Sequence, residues 1–148
     1  MNEASILADV RSACNLEKFD TSFDNQLIPL INTQLMMAHQ FGVGPDWFQI
    51  TGEAETWHDW LGPFVNDLSS VKTWVGFNVL LMFDPPDNST VLKSYQDQID
   101  KIEYMLREKV EEKGYVKHYV KGKDDFYNEH YNYSAEKADN VDLSEDDD

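Results

Sequence analysis

The sequence predicts an all-α protein: a small bundle of about four to five helices, followed by an extended C-terminal arm. Three observations predict it. Residues 71–86 read VKTWVGFNVLLMFDPP, an apolar run stopped by two prolines. Leu92, Tyr95, Ile99, Ile102 and Leu106 follow one another at spacings of 3, 4, 3 and 4, the seam of a helix packed along one side. Ile28, Ile31, Leu35 and Ala38 keep three- and four-residue spacing upstream of both.

The elements follow in chain order. A first helix is expected over roughly 2–14, from Asn2 to Cys14, with Ile6, Leu7, Val10 and Cys14 inward. Thr21 and Asp24 have the spacing of a capping box, in which a hydroxyl and a carboxylate satisfy free backbone N–H groups. The second helix is expected to run from there to about Phe41, kinked at Pro29, whose nitrogen carries no hydrogen to donate. Gly42, Gly44 and Pro45 end it in a turn. Residues 48–51 are compatible with a short β piece, and residues 56–62 with one or two helical turns that seal the core with Trp57, Trp60 and Leu61.

Between Trp74 and Phe83 only Gly76 and Asn78 are not apolar, so neither a helical nor a strand stripe can be drawn. Such a helix is buried on most sides. It is too short to cross a bilayer, which takes about 20 residues. Asp67 is a suitable N-cap for it, and Pro85 and Pro86 stop it. Asn88, Ser89 or Thr90 then caps the last long helix, which ends at Gly114. Its wet face is marked by the acid-first pairs Asp97–Lys101 and Glu103–Arg107. Trp74, Phe77, Leu81, Ile99 and Ile102 are the expected core of one subunit.

Composition narrows the function. A chain of 148 residues with 4 Trp, 7 Tyr and 8 Phe fits one domain with a substantial core. The single cysteine excludes an internal disulfide framework and a cysteine-based zinc site. The N-terminus lacks the basic and apolar regions of a secretory signal, so a protein made and used without export is expected. The net charge is −16, of which residues 124–148 carry −9 through ten acids and one base, Lys137. Acidity in both parts opposes a grip on a phosphate backbone.

No catalytic chemistry can be assembled from spacing. His39, His58, His118 and His130 share no metal-ligand spacing with each other or with Cys14. His58 beside Asp59 suggests a base only where a nucleophile lies near, and none is evident. The GVGP turn at 42–45 lacks the length and the Lys-Ser or Lys-Thr of a phosphate loop. The terminal acids lack the glycine and alternating ligands of an EF-hand. No enzyme, metal or cofactor is expected.

Beyond Gly114 the pattern changes. YVKHYV at 115–120 alternates in the manner of a short strand. Tyr115, Tyr119, Phe126, Tyr127, Tyr131 and Tyr133 place six aromatics in 19 otherwise hydrophilic residues. Solvated tails are poor in aromatics, whereas docking surfaces use them for large area with few rotors. The expected division is therefore a helical domain over 1–114 and a partner-docking arm over 115–148.

These elements together resemble the head–tail connector (adaptor) proteins of tailed bacteriophages. The resemblance rests on LINTQLMMAHQFGVGP at 30–45, the TW and acid-and-aromatic turn at 56–60, VKTWVGFNVLLMFDPP at 71–86 and QIDKIEYMLR at 98–107, in family order and spacing. It covers roughly residues 4–108. It implies a virion protein at the head–tail interface, assembled in the host bacterial cytoplasm with no membrane partner. It further implies a homo-oligomeric ring, commonly a dodecamer, beneath the portal protein. Such a ring extends the DNA channel, passes genomic DNA without specific binding, and docks stopper or tail-completion proteins. No catalytic residues are implied. Pro29 and the long aromatic, acidic arm depart from the family pattern. The rival class is an acidic protein-binding module, a nucleic-acid mimic that captures a basic partner.

Overall fold

A computed structural model of the protein describes residues 4–113. Five α-helices account for its architecture: α1 (Ile6–Ala13), α2 (Asp24–Gln40), α3 (Trp57–Leu61), α4 (Ser70–Phe83) and α5 (Ser89–Lys113), with a 3-10 turn at Gly62–Phe64 after α3. The all-α class expected from the sequence is observed, and the described residues contain no strand.

Helix α4 is the axis of the bundle. It has no charged residue after Lys72, and α1, α2 and α5 all pack against it. Val71, Trp74, Val75, Gly76, Val79 and Leu80 are buried on it. Gly76 explains how α1 comes so close, because a Cβ there would lie 2.9 Å from the Cβ of Ala13. Aromatic edges lock the neighbours. Phe23 meets Phe83 and Phe41 meets Trp74, each at 5.3 Å between centroids, and Phe77 meets Tyr95 at 4.8 Å.

Several boundaries differ from the sequence reading. Helix α1 begins at Ile6, not near Asn2, which lies outside the described residues. Ser5 caps it by accepting a bond from the Ala8 N–H (3.2 Å), while the Ile6 N–H donates to Glu55 and the Trp57 N–H to Ala4. That backbone pairing claims groups a longer helix would need. Thr21 and Asp24 form no capping box: α2 starts after Phe23 without a side-chain cap. The capping box lies instead at Thr56 and Asp59, at the head of α3. Helix α4 starts three residues after Asp67, because the 3-10 turn and the burial of Leu68 carry the chain past it first.

No strand forms at 48–51. The amide side chain of Asn32 on α2 takes a strand's place, accepting from the Ile50 N–H (2.8 Å) and donating to the Ile50 carbonyl (3.0 Å). Helix α2 runs through Pro29 from Asp24 to Gln40, and the Thr33 hydroxyl donates to the Pro29 carbonyl (3.0 Å). Asp97 pairs with Lys93 (3.4 Å) rather than Lys101, whereas Glu103 and Arg107 do pair (2.8 Å). Of the three candidate caps for α5 it is Asn88 that accepts, from the N–H groups of Thr90 and Val91.

Of the expected core, Trp74 and Ile99 are buried, joined on α5 by Leu106 and Val110. Phe77, Leu81 and Ile102 are only half-buried against the core. They line the rim of the α4–α5 seam, where a side chain is covered by the facing helix on one side and by water on the other. The core extends instead through α2 and the 57–68 segment, with Leu27, Ile31, Leu35, Trp57, Trp60 and Leu68 almost wholly enclosed.

Candidate interaction surfaces

Two polar side chains are buried in the described fold, Gln34 on α2 and Arg11, and Arg11 is the charged one, with no exposed side-chain surface. It lies on α1, four residues after Leu7, on the stripe that faces inward. Its Nε and one Nη donate to both carboxylate oxygens of Asp24 (3.0 and 2.7 Å), the two-pronged geometry that suits a guanidinium. Its other Nη donates to the Lys18 carbonyl and to Glu53. The Asp24 hydrogen bonds raise its pKa above the usual arginine value, against the opposing effect of burial and with further help from Glu53. A group held so firmly protonated cannot move protons. It ties α1, the 14–23 connection, the head of α2 and the 51–56 loop into one unit. Trp57 adds a second tie, its indole N–H donating to Asp9 (2.8 Å).

The remaining candidate groups are committed elsewhere. Asp59 spends a carboxylate oxygen on the Thr56 N–H (2.9 Å), and His58 points outward from α3. The ring of His39 bonds through Nδ1 to the Gly44 carbonyl (2.8 Å), pinning the glycine turn. Gly44 itself is required there: its φ is +78°, and a Cβ would fall 2.1 Å from the indole nitrogen of Trp60. Burial, with Asp84 nearby, pushes the Cys14 thiol up to about 11, so it is a neutral packing group rather than a nucleophile. Among the described residues no group of three or more His, Cys, Asp or Glu could hold a metal ion. No helix among them is long and apolar enough to cross a membrane.

What the described surface offers is faces. Helix α2 exposes Asn25, Gln26, Pro29, Thr33, Met36, Met37 and Gln40, with no charge among them. Met36 and Met37 are each about half exposed, and Met82 stands out from α4 to a similar degree. Helix α5 exposes mostly charges, broken by Val91, Tyr104 and Met105. The aromatic residues expected to dock a partner, Tyr115, Tyr119, Phe126, Tyr127, Tyr131 and Tyr133, lie outside the described residues, as do YVKHYV, His118 and His130. Sequence reasoning passed over Arg11 and the uncharged outer face of α2. The first was legible as a base on an apolar stripe, the second as the longest charge-free stretch of the chain, residues 25–45.

An all-helical unit that presents faces, with its one buried charge tied into the fold, has the form of a structural module. The chain matches the phage connector protein family over residues 6–113 and belongs to it. The match begins with the first residue of α1 and ends with the last of α5, so it coincides with the helical bundle. Membership supports a structural head–tail connector role rather than an enzymatic one, in the virion. No curated protein and no solved structure matches the chain.

Proposed function

We propose that this protein is a head–tail adaptor whose copies form a ring, with twelve subunits the expected number, beneath the portal. The ring extends the DNA channel, and its far side receives the stopper or tail-completion protein. The observation that carries this reading is the family match across the whole bundle, 6–113. Charge supports it. A net −16 per chain suits a wall along which DNA slides, since acids repel the phosphate backbone over roughly a Debye length, about 8 Å at physiological salt.

Residues 115–148 serve in this reading as a second unit, an arm that docks on the portal. Tyr115, Tyr119, Phe126, Tyr127, Tyr131 and Tyr133 would supply its anchors, and the acids between them would set register against basic residues. Native mass spectrometry of connector complexes extracted from virions tests the ring. Assemblies well above a dimer are expected. Monomers and dimers alone would favour the acidic mimic and end the ring reading. Truncation after Gly114 tests the arm: a folded bundle that no longer joins DNA-filled heads is expected, and normal incorporation would remove the arm's role.

A further inference from the structure

The bundle contains two long charge-free stretches, and only one is explained by burial. Residues 73–83 belong to α4, the enclosed axis. Residues 25–45 cover nearly all of α2, whose outer face meets solvent. A solvated helix face ordinarily carries charges. Its absence matters because residues 4–113 hold 17 acidic and 8 basic residues, a net of −9. Two identical copies therefore repel unless they meet through faces without acids. A basic partner would be drawn to the acidic faces instead, so an uncharged face fits a second copy of this chain.

A ring needs two different faces on each subunit, because head-to-tail contacts join unlike patches. The described surface has a second row without acids, on α5, which runs as far as Met105 before the exposed Glu108. Val91, Ser94, Gln98, Lys101 and Met105 repeat at 3, 4, 3 and 4, one residue before the buried seam, and all are exposed. Helices α2 and α5 each pack on α4 and make no extensive contact with each other, and the residues of both rows are exposed. Methionine suits such a contact, being apolar and adaptable in shape.

We propose that Met36, Met37 and Gln40 on α2 pack against the Gln98, Lys101 and Met105 row on α5 of the neighbouring copy, making the head-to-tail contact of the ring. The proposal rests on the ring reading above, and its test separates the two. Connector complexes are extracted from particles whose chain carries both Met37→Cys and Met105→Cys, then treated with a short bismaleimide. Cross-linked species extending past the dimer are expected, with none from either single variant; the wild-type chain, holding only buried Cys14, is the blank. In parallel, Met37→Glu is expected to lower recovery in assemblies by roughly tenfold or more, as burying an unpaired carboxylate would. Its melting curve is expected to match wild type, since Met37 is exposed within one subunit.

Intact rings without the ladder, or rings unaffected by Met37→Glu, would overturn this interface and leave the ring standing. Cross-linked dimers from Met37→Cys alone would mean α2 meets α2, which overturns the head-to-tail pairing. Extracted wild-type material containing only monomers and dimers would remove the ring and this contact together.

Discussion

Helices α2 and α5 both lie against α4, yet they face water in opposite ways. Of its 25 residues α5 carries 11 charged ones, while α2 carries a single one, Asp24, among 17. Even that one is turned into the fold by Arg11. On α5 the charges lie outside the seam. Lys93–Asp97 and Glu103–Arg107 pair along the helix, the Arg107 guanidinium also sits 4.8 Å above the Phe41 ring, and Lys109 donates to the Asp67 carbonyl. On α2 the interior side is apolar apart from the buried Gln34, and the exterior is amide, hydroxyl and thioether. The difference teaches that a helix's inner stripe reports the fold, whereas the character of its outer face reports what the fold must meet.

The comparison can be pressed first at the core. Leu35 on α2 and Leu106 on α5 are both enclosed. Replacing either by Ala is expected to cost about 2–5 kcal/mol in urea unfolding. Leu81→Ala, at the half-buried rim, is expected to cost less than either. Equal losses at Leu81 and Leu35 would show the rim to be as enclosed as the centre.

Arg11→Met removes the partner of the only charge on α2. Loss of one member of a buried pair typically costs about 3–5 kcal/mol. The lower end is expected here, because Asp24 and Glu53 keep access to water. A change below about 1 kcal/mol in the same assay would mean that packing alone seats the head of α2.

Cys14 tests the joint between α1 and the bundle by pH. Its thiol is raised from 9.0 to about 11 in the folded chain. The stabilisation is complete below pH 9 and is lost as pH rises through 11, since the unfolded chain releases the proton first. Two pH units correspond to roughly 2–3 kcal/mol at most. Comparing wild type with Cys14→Ala between pH 8 and pH 11 isolates it: the gap in stability should narrow with rising pH, and a constant gap would show an ordinary thiol.

Smaller effects are expected at the ends and surfaces. Thr56→Ala removes the capping box of α3 and should cost about 1 kcal/mol. Arg107→Ala should cost about 0.5–1.5 kcal/mol from its exposed ion pair and ring contact together. A loss as large as that of Leu106→Ala would make the charged face of α5 a source of stability rather than of solubility.

The class of the fold was legible because periodicity is a local property. The uniform apolarity of 73–83 identified the enclosed axis, and the 3-4 spacing of 92–106 identified the helix beside it. The glycine turn was legible too, and Gly42 and Gly44 do take positive φ. Caps were not. Thr21 with Asp24 and Thr56 with Asp59 carry the same signature three residues apart, yet only the second forms. Arg11 outbids the first by taking the Asp24 carboxylate, and its arrival depends on α1 packing beside α2. Ile50 likewise has the pattern of a strand, but its bonds go to an amide 18 residues away on another element.

The sequence by itself determined the helices, their inner stripes, the glycine turn and the family to which they conform, because backbone preference and apolar spacing act over a few residues. Tertiary structure decided which caps form, which seam residues reach the centre, and that the uncharged length of α2 is turned outward. Those outcomes depend on which side chains meet across the bundle, and that distance is set only when the helices pack on α4.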